Sequence, residues 1–226
     1  MTRGARRAAV LGVLALAAAG PAWAQAPAPE PAPAGQPPEP AQGSPTAQMR
    51  DYTNEVLKAL QEAMVQEADR VGAARLAARK LAIQVFGLAE AAQEALGRHW
   101  EARTPAERDE FIQLFADVLE ATYIAQLDKQ RGLRIRYVGE SIDGERAQVR
   151  ARLTTRKGDE AMLEARLIRR EGRWLIYDVV FEGVSLMGNF RSQFESVIRK
   201  SSYASLIVQL KAKRDQLLGK TGRPGG

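Results

Sequence analysis

Apolar residues recur at helical spacing through the first half of the chain and at alternate positions through a block that follows. From Met49 to Glu67, Tyr52, Val56, Leu57, Leu60 and Met64 fall on one face of a helix. A second apolar pattern runs from Arg75 to Leu96 in Leu76, Leu81, Ile83, Val85, Phe86 and Leu88; Gly87 is placed to break it and Gly97 to stop it. The third helix has the clearest start. In Thr104-Pro105-Ala106-Glu107 a capping residue is followed by proline at the first helical position and by Glu three residues on, which makes a capping box. Its apolar stripe is Phe111, Leu114, Phe115, Val118, Leu119, Tyr123 and Leu127.

The period then changes to two. Leu133 to Glu140, Arg146 to Arg156, Asp159 to Arg169 and Trp174 to Phe181 read as strands. Asp143-Gly144, Lys157-Gly158 and Glu171-Gly172 supply the turns between them. Consecutive hairpins make an antiparallel meander. Arg134 and Arg136, Arg150 and Arg152, and Glu164 and Arg166 fall on a wet face. Ile135 and Tyr137, then Val149, Ala151 and Leu153, then Leu163, Ala165 and Leu167 fall on a covered one. The alanines among these larger residues serve either the close approach of a helix or volume left for a ligand. In the last strand Trp174, Ile176, Asp178 and Val180 alternate with Leu175, Tyr177, Val179 and Phe181, so both faces are apolar and the strand is buried on both sides. Asp178 is then a carboxylate among hydrophobes. It either satisfies backbone donors or an Arg near the turn, or serves a pocket mouth as a polar group or general base. Ser185 to Lys200 and Ser202 to Leu218 close the chain as helices. The order helices, strands, helices predicts an α+β domain: N-terminal helices, a four-stranded antiparallel meander and C-terminal helices, with the helices packed on one side of a curved sheet.

Composition adds the ends and the compartment. Arg3, Arg6 and Arg7 precede a short apolar run from Ala8 to Ala19, and Ala22-Trp23-Ala24 offers a cleavage site, the pattern of a secretory signal peptide. The apolar run is too short to span a bilayer, which takes roughly 20 residues. Gln25 to Gln48 is rich in Pro and Ala and cannot bury enough surface to order itself. The expected division is a signal peptide (1–24), a Pro/Ala-rich disordered linker (25–48), one domain (49–218) and a disordered tail (219–226). There are no cysteines, which excludes disulfides, Cys-based metal sites and acylation at an N-terminal Cys. The formal net charge of +6 includes the three signal-peptide arginines. The mild balance left without them, with few aromatics and none interleaved with basic strand residues, does not fit a nucleic-acid binder.

The stretch from Trp174 to Phe194, WLIYDVVFEGVSLMGNFRSQF, carries the most specific information. Its Trp174, Tyr177, Asp178, Glu182, Gly183, Val184 and Ser185 resemble the C-terminal signature of the MlaC-like family, the periplasmic phospholipid-binding proteins of the Mla pathway, also called toluene-tolerance auxiliary proteins. Ala95-Leu96-Gly97 with Trp100, the Thr104-Pro105-Ala106-Glu107-Arg108 helix start, and Phe111, Phe115 and Tyr123 extend the resemblance over most of Arg75 to Leu218; the long Pro/Ala-rich lead-in departs from it. The resemblance implies a nuclear-transport-factor-like cone with a lipid pocket and no enzymatic activity or cofactor. It implies a periplasmic location, phospholipid as cargo, and transient partners in an outer-membrane lipoprotein complex and an inner-membrane ABC transporter complex. Pocket candidates are Phe115, Leu119 and Tyr123 from the third helix and Val149, Leu153, Leu163, Leu167, Ile176 and Val180 from the strands. A hopanoid-type lipid is an alternative cargo, and a packed-shut scaffold domain that binds a protein partner is an alternative role.

A search for catalytic chemistry finds little. His99 is the only histidine, no carboxylates cluster round it at ligand spacing, and no Gly-x-Ser-x-Gly elbow or phosphate-binding Gly-rich loop occurs. An isomerase with Asp178 as base and Tyr123 or Tyr137 as oxyanion donor is the residual enzyme reading, and nothing in the spacing favours it.

Overall fold

The computed structural model describes residues 41–65, 84–122 and 133–221. Helix α1 is Pro45–Val65, α2 is Leu88–Leu96, and α3 is Pro105–Thr122, with a single 3₁₀ turn at Gly97–His99 between the last two. Strands β1 (Arg134–Asp143), β2 (Arg146–Thr154), β3 (Glu160–Arg170), β4 (Arg173–Phe181) and the short β5 (Val184–Ser185) follow. Helices α4 (Leu186–Lys200) and α5 (Tyr203–Thr221) end the domain. The strands form one antiparallel sheet in the order β1-β2-β3-β4-β5. The apolar pattern from Leu76 to Ile83, and Tyr123 and Leu127 of the third helix, lie outside the described residues.

Local signals explain most boundaries. The capping box forms: the Thr104 N–H donates to Glu107 Oε2 at 2.8 Å, and the Glu107 N–H donates to Thr104 Oγ1 at 3.3 Å. Helix α2 starts after Gly87 and ends at Gly97, whose φ of +57° suits the residue that terminates a helix. Gly97 is also short of room, because a Cβ there would meet the Arg191 stem at 3.1 Å. Helix α1 starts earlier than the Pro/Ala-rich composition suggested. Ser44 Oγ accepts the Ala47 N–H at 3.2 Å and Pro45 takes the first helical position, so Pro45 to Gln48 are helical rather than linker. The short strand β5 is absent from the sequence pattern, which passes from a strand ending at Phe181 to a helix starting at Ser185. Glu182 (φ +48°) and Gly183 (φ +81°) form a turn with both central residues left-handed, which returns the chain as a tight hairpin pairing Phe181 with Val184.

Two β-bulges change the face assignment. In β1 the register skips Val138, so Glu140 rather than its neighbours lies opposite Val149. In β4 it skips Tyr177: Leu167 pairs with Ile176, but Arg166 pairs with Asp178. Trp174 and Ile176 therefore share the face of Leu167, whereas Asp178 and Val180 share the opposite face with Arg166 and Glu164. Simple alternation had placed all four together, and one extra residue inverts the faces beyond it.

The helices flank the sheet on both faces, not on one. On the first face Met49 of α1 and Val85 pack with Ala147, Val149, Ala165, Leu167, Trp174 and Ile176. On the second, α2 to α5 build a larger core with Ile168 and Tyr177 of the sheet, in which Phe111, Phe115, Phe190 and Phe194 stack or meet edge to face. The two-sided apolar character of β4 is the physical reason: each of its faces has a core to join.

Candidate functional site

The first sheet face is an apolar trough with a regular make-up. Every cross-strand pair on it between β2 and β3 matches one alanine with one larger residue: Ala147 with Leu167, Val149 with Ala165, Ala151 with Leu163, and Leu153 with Ala161. All four alanines are buried. Side chains alternate large and small along both strands, so the floor is notched rather than flat. At the Ala147 end Met49 and Val85 close it, and Tyr52, Phe86, Tyr137, Leu163 and Val179 pack against that cluster while only partly buried. Ile135 and Phe181 are also half-exposed.

Helix α1 is held across this face by polar attachments at both sheet margins. On the β1 side, Glu140 Oε2 accepts the Thr46 N–H at 2.9 Å, a carboxylate at a helix N-terminus. The Tyr137 hydroxyl donates to the Met49 carbonyl at 3.0 Å and lies 2.8 Å from Thr53 Oγ1. Burial holds the phenol pKa above its usual value. On the β4 side the Trp174 N–H donates to Gln48 Oε1 at 2.7 Å. The segment before α2 covers the rest of the β4 edge: Ile176 N–H donates to the Val85 carbonyl at 2.8 Å and accepts through its own carbonyl from Gly87 at 2.9 Å.

These placements divide the sequence-derived pocket candidates. Val149, Leu167, Ile176 and, partly exposed, Leu163 are brought together on the trough, and Leu153 lies farther along its floor. Phe115 and Leu119 belong to the core on the other side of the sheet. Val180 faces away from the trough, in register with Glu164. Tyr123 lies outside the described residues. Met49, Val85 and Phe86 are not among the sequence-derived site residues, and Tyr137 is there only as an oxyanion-donor candidate, not as a pocket residue. Tyr137 had a legible signal, its parity with Ile135 on the covered face, and the bulge at Val138 had one in the adjacent Gly139; the bulge at Tyr177 and the polar attachments of α1 had none.

Asp178 sits at the joint between β4 and α4. It is 1% exposed, accepts the Met187 N–H at 2.9 Å and the Ser185 hydroxyl at 2.7 Å, and pairs with Arg166 at 3.2 Å. Ser185 in turn caps α4 by accepting the Gly188 N–H at 2.8 Å. Across the turn, Glu182 Oε1 accepts the Met162 N–H at 2.6 Å. The Asp178, Glu182, Gly183 and Ser185 signature is thus a structural joint: its side chains are occupied in turning a strand into a helix.

The family profile described as MlaC protein matches residues 50–212, which takes in α1 after its first turn, the whole sheet and most of the C-terminal helices. The chain belongs to the MlaC family. A curated relative from Haemophilus influenzae, the "intermembrane phospholipid transport system binding protein MlaC", is 21% identical over 131 residues. The alignment covers 56% of this chain and 61% of that relative. A solved structure, the phospholipid-binding protein of Ralstonia solanacearum in complex with a phospholipid, superposes with a TM-score of 0.65. It shares 22% identity, covering 76% of this chain and 97% of the other, and so shows a common fold.

The second face of this MlaC-family protein carries the histidine. His99 Nε2 lies 2.6 Å from Glu195 Oε2, and Arg98 pairs with the same carboxylate, which links the turn after α2 to α4. The histidine hydrogen bond is the chief cause of a Glu195 pKa below the ordinary carboxylate value. Leu96, Gly97, Arg98, Arg191, Ser192 and Glu195 line a shallow open cleft of about 420 Å³ beside it. Arg191 is paired with Glu94 there. Among the described residues no group of three or more His, Asp or Glu is placed to hold a metal ion, and no helix is long and apolar enough to cross a membrane.

Proposed function

We propose that this protein is a non-catalytic phospholipid carrier of the periplasm, which encloses acyl chains against the alanine-notched trough and moves lipid between membrane complexes. Membership of the MlaC family across residues 50–212 carries the reading. The named activities of the Haemophilus and Ralstonia proteins, phospholipid transport and phospholipid binding, supply the cargo class. A diacyl lipid carries roughly 30 methylenes, each worth about 0.8 kcal/mol when removed from water, so free monomer in an aqueous compartment is negligible. A carrier must therefore cover most of both tails, and an apolar face of a sheet under a helix is a surface able to do so.

Val149, Leu153, Leu163, Leu167 and Ile176 are the proposed lining, with Tyr137 and Met49 added from the structure. An outer-membrane lipoprotein complex and an inner-membrane ABC transporter complex are the proposed donor and acceptor. Native mass spectrometry of the mature protein from a periplasmic extract, followed by lipid extraction, tests the carrier reading. A bound mass matching a diacyl phospholipid is the expected result. Protein free of lipid under gentle conditions overturns it.

A further inference from the structure

The back of the trough carries charge that the fold does not use. On the second face of β1 and β2, beyond the part covered by helices, Arg134, Arg136, Arg150 and Arg152 stand in a block two strands wide. Arg136 is paired directly with Arg152, and Arg150 lies across Gly139, its Nη2 being 3.3 Å from where a Cβ would sit. Neighbouring side chains in such a block are roughly 5 Å apart between strands and about 7 Å along them, and like charges directly opposed on a sheet are destabilising. Arg134, Arg136 and Arg150 make no ion pair among the described residues; Arg152 has a long contact of 3.5 Å to Glu160. The next arginine over, Arg166, is already neutralised by Glu164 and Asp178. Val138, the bulged residue of β1, and Met162, opposite Arg152, sit at the block with 37% and 39% of their surface exposed.

We infer that this arginine block is a docking surface for a carboxylate-rich patch on a protein partner. Planar guanidinium forks match carboxylates bidentately, and exposed Arg with Met is the composition of protein interfaces rather than of ordinary surface. Glu164, directly opposite Arg150 on β3, and Glu160, opposite Thr154, decide between partners. They repel a uniformly anionic bilayer, whereas a protein can place a cation opposite each. The apolar side chains exposed at the block, Val138 and Met162, include no aromatic anchor for a bilayer interface. The inference rests on the carrier reading in one respect: docking on the strands whose front face forms the trough puts the partner directly behind the proposed cargo.

The test immobilises the lipid-loaded mature protein. It measures binding of cell-envelope vesicles from the source organism, of the same vesicles after protease shaving or after carbodiimide amidation of their carboxylates, and of protein-free liposomes made from the extracted lipids. Binding to native vesicles is expected, with loss on shaving, on amidation and on liposomes. Arg136→Gln/Arg152→Gln should weaken it at least tenfold while the bound-lipid mass is retained. Arg136→Glu, which creates a cross-strand pair with Arg152, should weaken binding while raising the melting temperature. Unchanged binding of these variants, absence of binding by the parent protein, or equal binding to protein-free liposomes overturns the inference; the last result makes the bilayer the occupant. Loss of bound lipid from the parent protein is read separately and counts against the carrier reading alone.

Discussion

The carboxylate of Asp178 accepts the backbone N–H of Met187 at 2.9 Å, so the last long strand caps the helix that follows it. Ser185 and Arg166 are also bonded to it, so both of its oxygens hold the joint together. Asp178→Ala should cost about 2–4 kcal/mol, since it leaves a buried helix N-terminus unsatisfied and Arg166 short of a partner. Chemical denaturation measures the cost. A loss under about 1 kcal/mol would mean that the joint is held elsewhere.

The two faces of the sheet should respond differently to substitution. Leu163→Trp adds bulk to the half-exposed end of the trough and should remove bound lipid while leaving a cooperative melt. Failure to fold would mean that the trough is a tightly packed core instead. Phe115→Ala, on the other face, should cost about 3–5 kcal/mol and leave the lipid content of each folded molecule unchanged. Native mass spectrometry and thermal melting of both variants give the comparison.

Tyr137→Phe should loosen α1 without emptying the core. It removes the bonds to Met49 and Thr53, worth about 1 kcal/mol net. Hydrogen exchange of the α1 amides should quicken, and lipid release to acceptor vesicles with it. Faster exchange with unchanged release would separate α1 from the exit route.

Acid should weaken the protein through two partly exposed carboxylates. Glu107 is held below the ordinary value of 4.5, chiefly by the Thr104 backbone N–H, and Glu195 chiefly by the His99 hydrogen bond. A carboxyl with a lower pKa in the folded state contributes stability that is present above its unfolded pKa and lost as pH falls through the folded value. Stability should therefore drop below pH 4.5, and the Glu107→Gln/Glu195→Gln double variant should lose less over the same descent. Thermal melts followed from neutral pH past 4.5 give the slope, and parallel slopes would dismiss both groups.

Elements whose signals are local were legible from sequence. The capping box at Thr104, the stop at Gly97 and the hairpins between strands needed only residues within a turn of one another. The signature from Trp174 to Ser185 identified the family although its polar side chains build a joint rather than touch the trough. Face assignment failed where it depended on register. The bulge at Tyr177 has no glycine or proline beside it to announce it, and one extra residue carried Val180 to the wrong side; the bulge at Val138, next to Gly139, left the faces assigned from Arg134 to Tyr137 unchanged. The separation of Phe115 and Leu119 from Val149 and Leu167 was equally hidden, because an apolar helix stripe does not state which face of a sheet it meets. Helix α1 was recognised by period, but its early start at Ser44-Pro45 lay under a composition that looked disordered.

In the proposed carrier role, the alternation of alanine with a larger residue across β2 and β3 would make cargo fit adjustable in small steps. Each exchange of Ala147, Ala151, Ala161 or Ala165 for Val, or of an opposing Leu for Ala, changes the floor by a few methyl groups and leaves the backbone ladder untouched. The aromatic core that stabilises the domain stands on the other side of the sheet. In that carrier role, the length or bulk of the lipid accommodated would be set on one face of the sheet and the larger share of the core on the other.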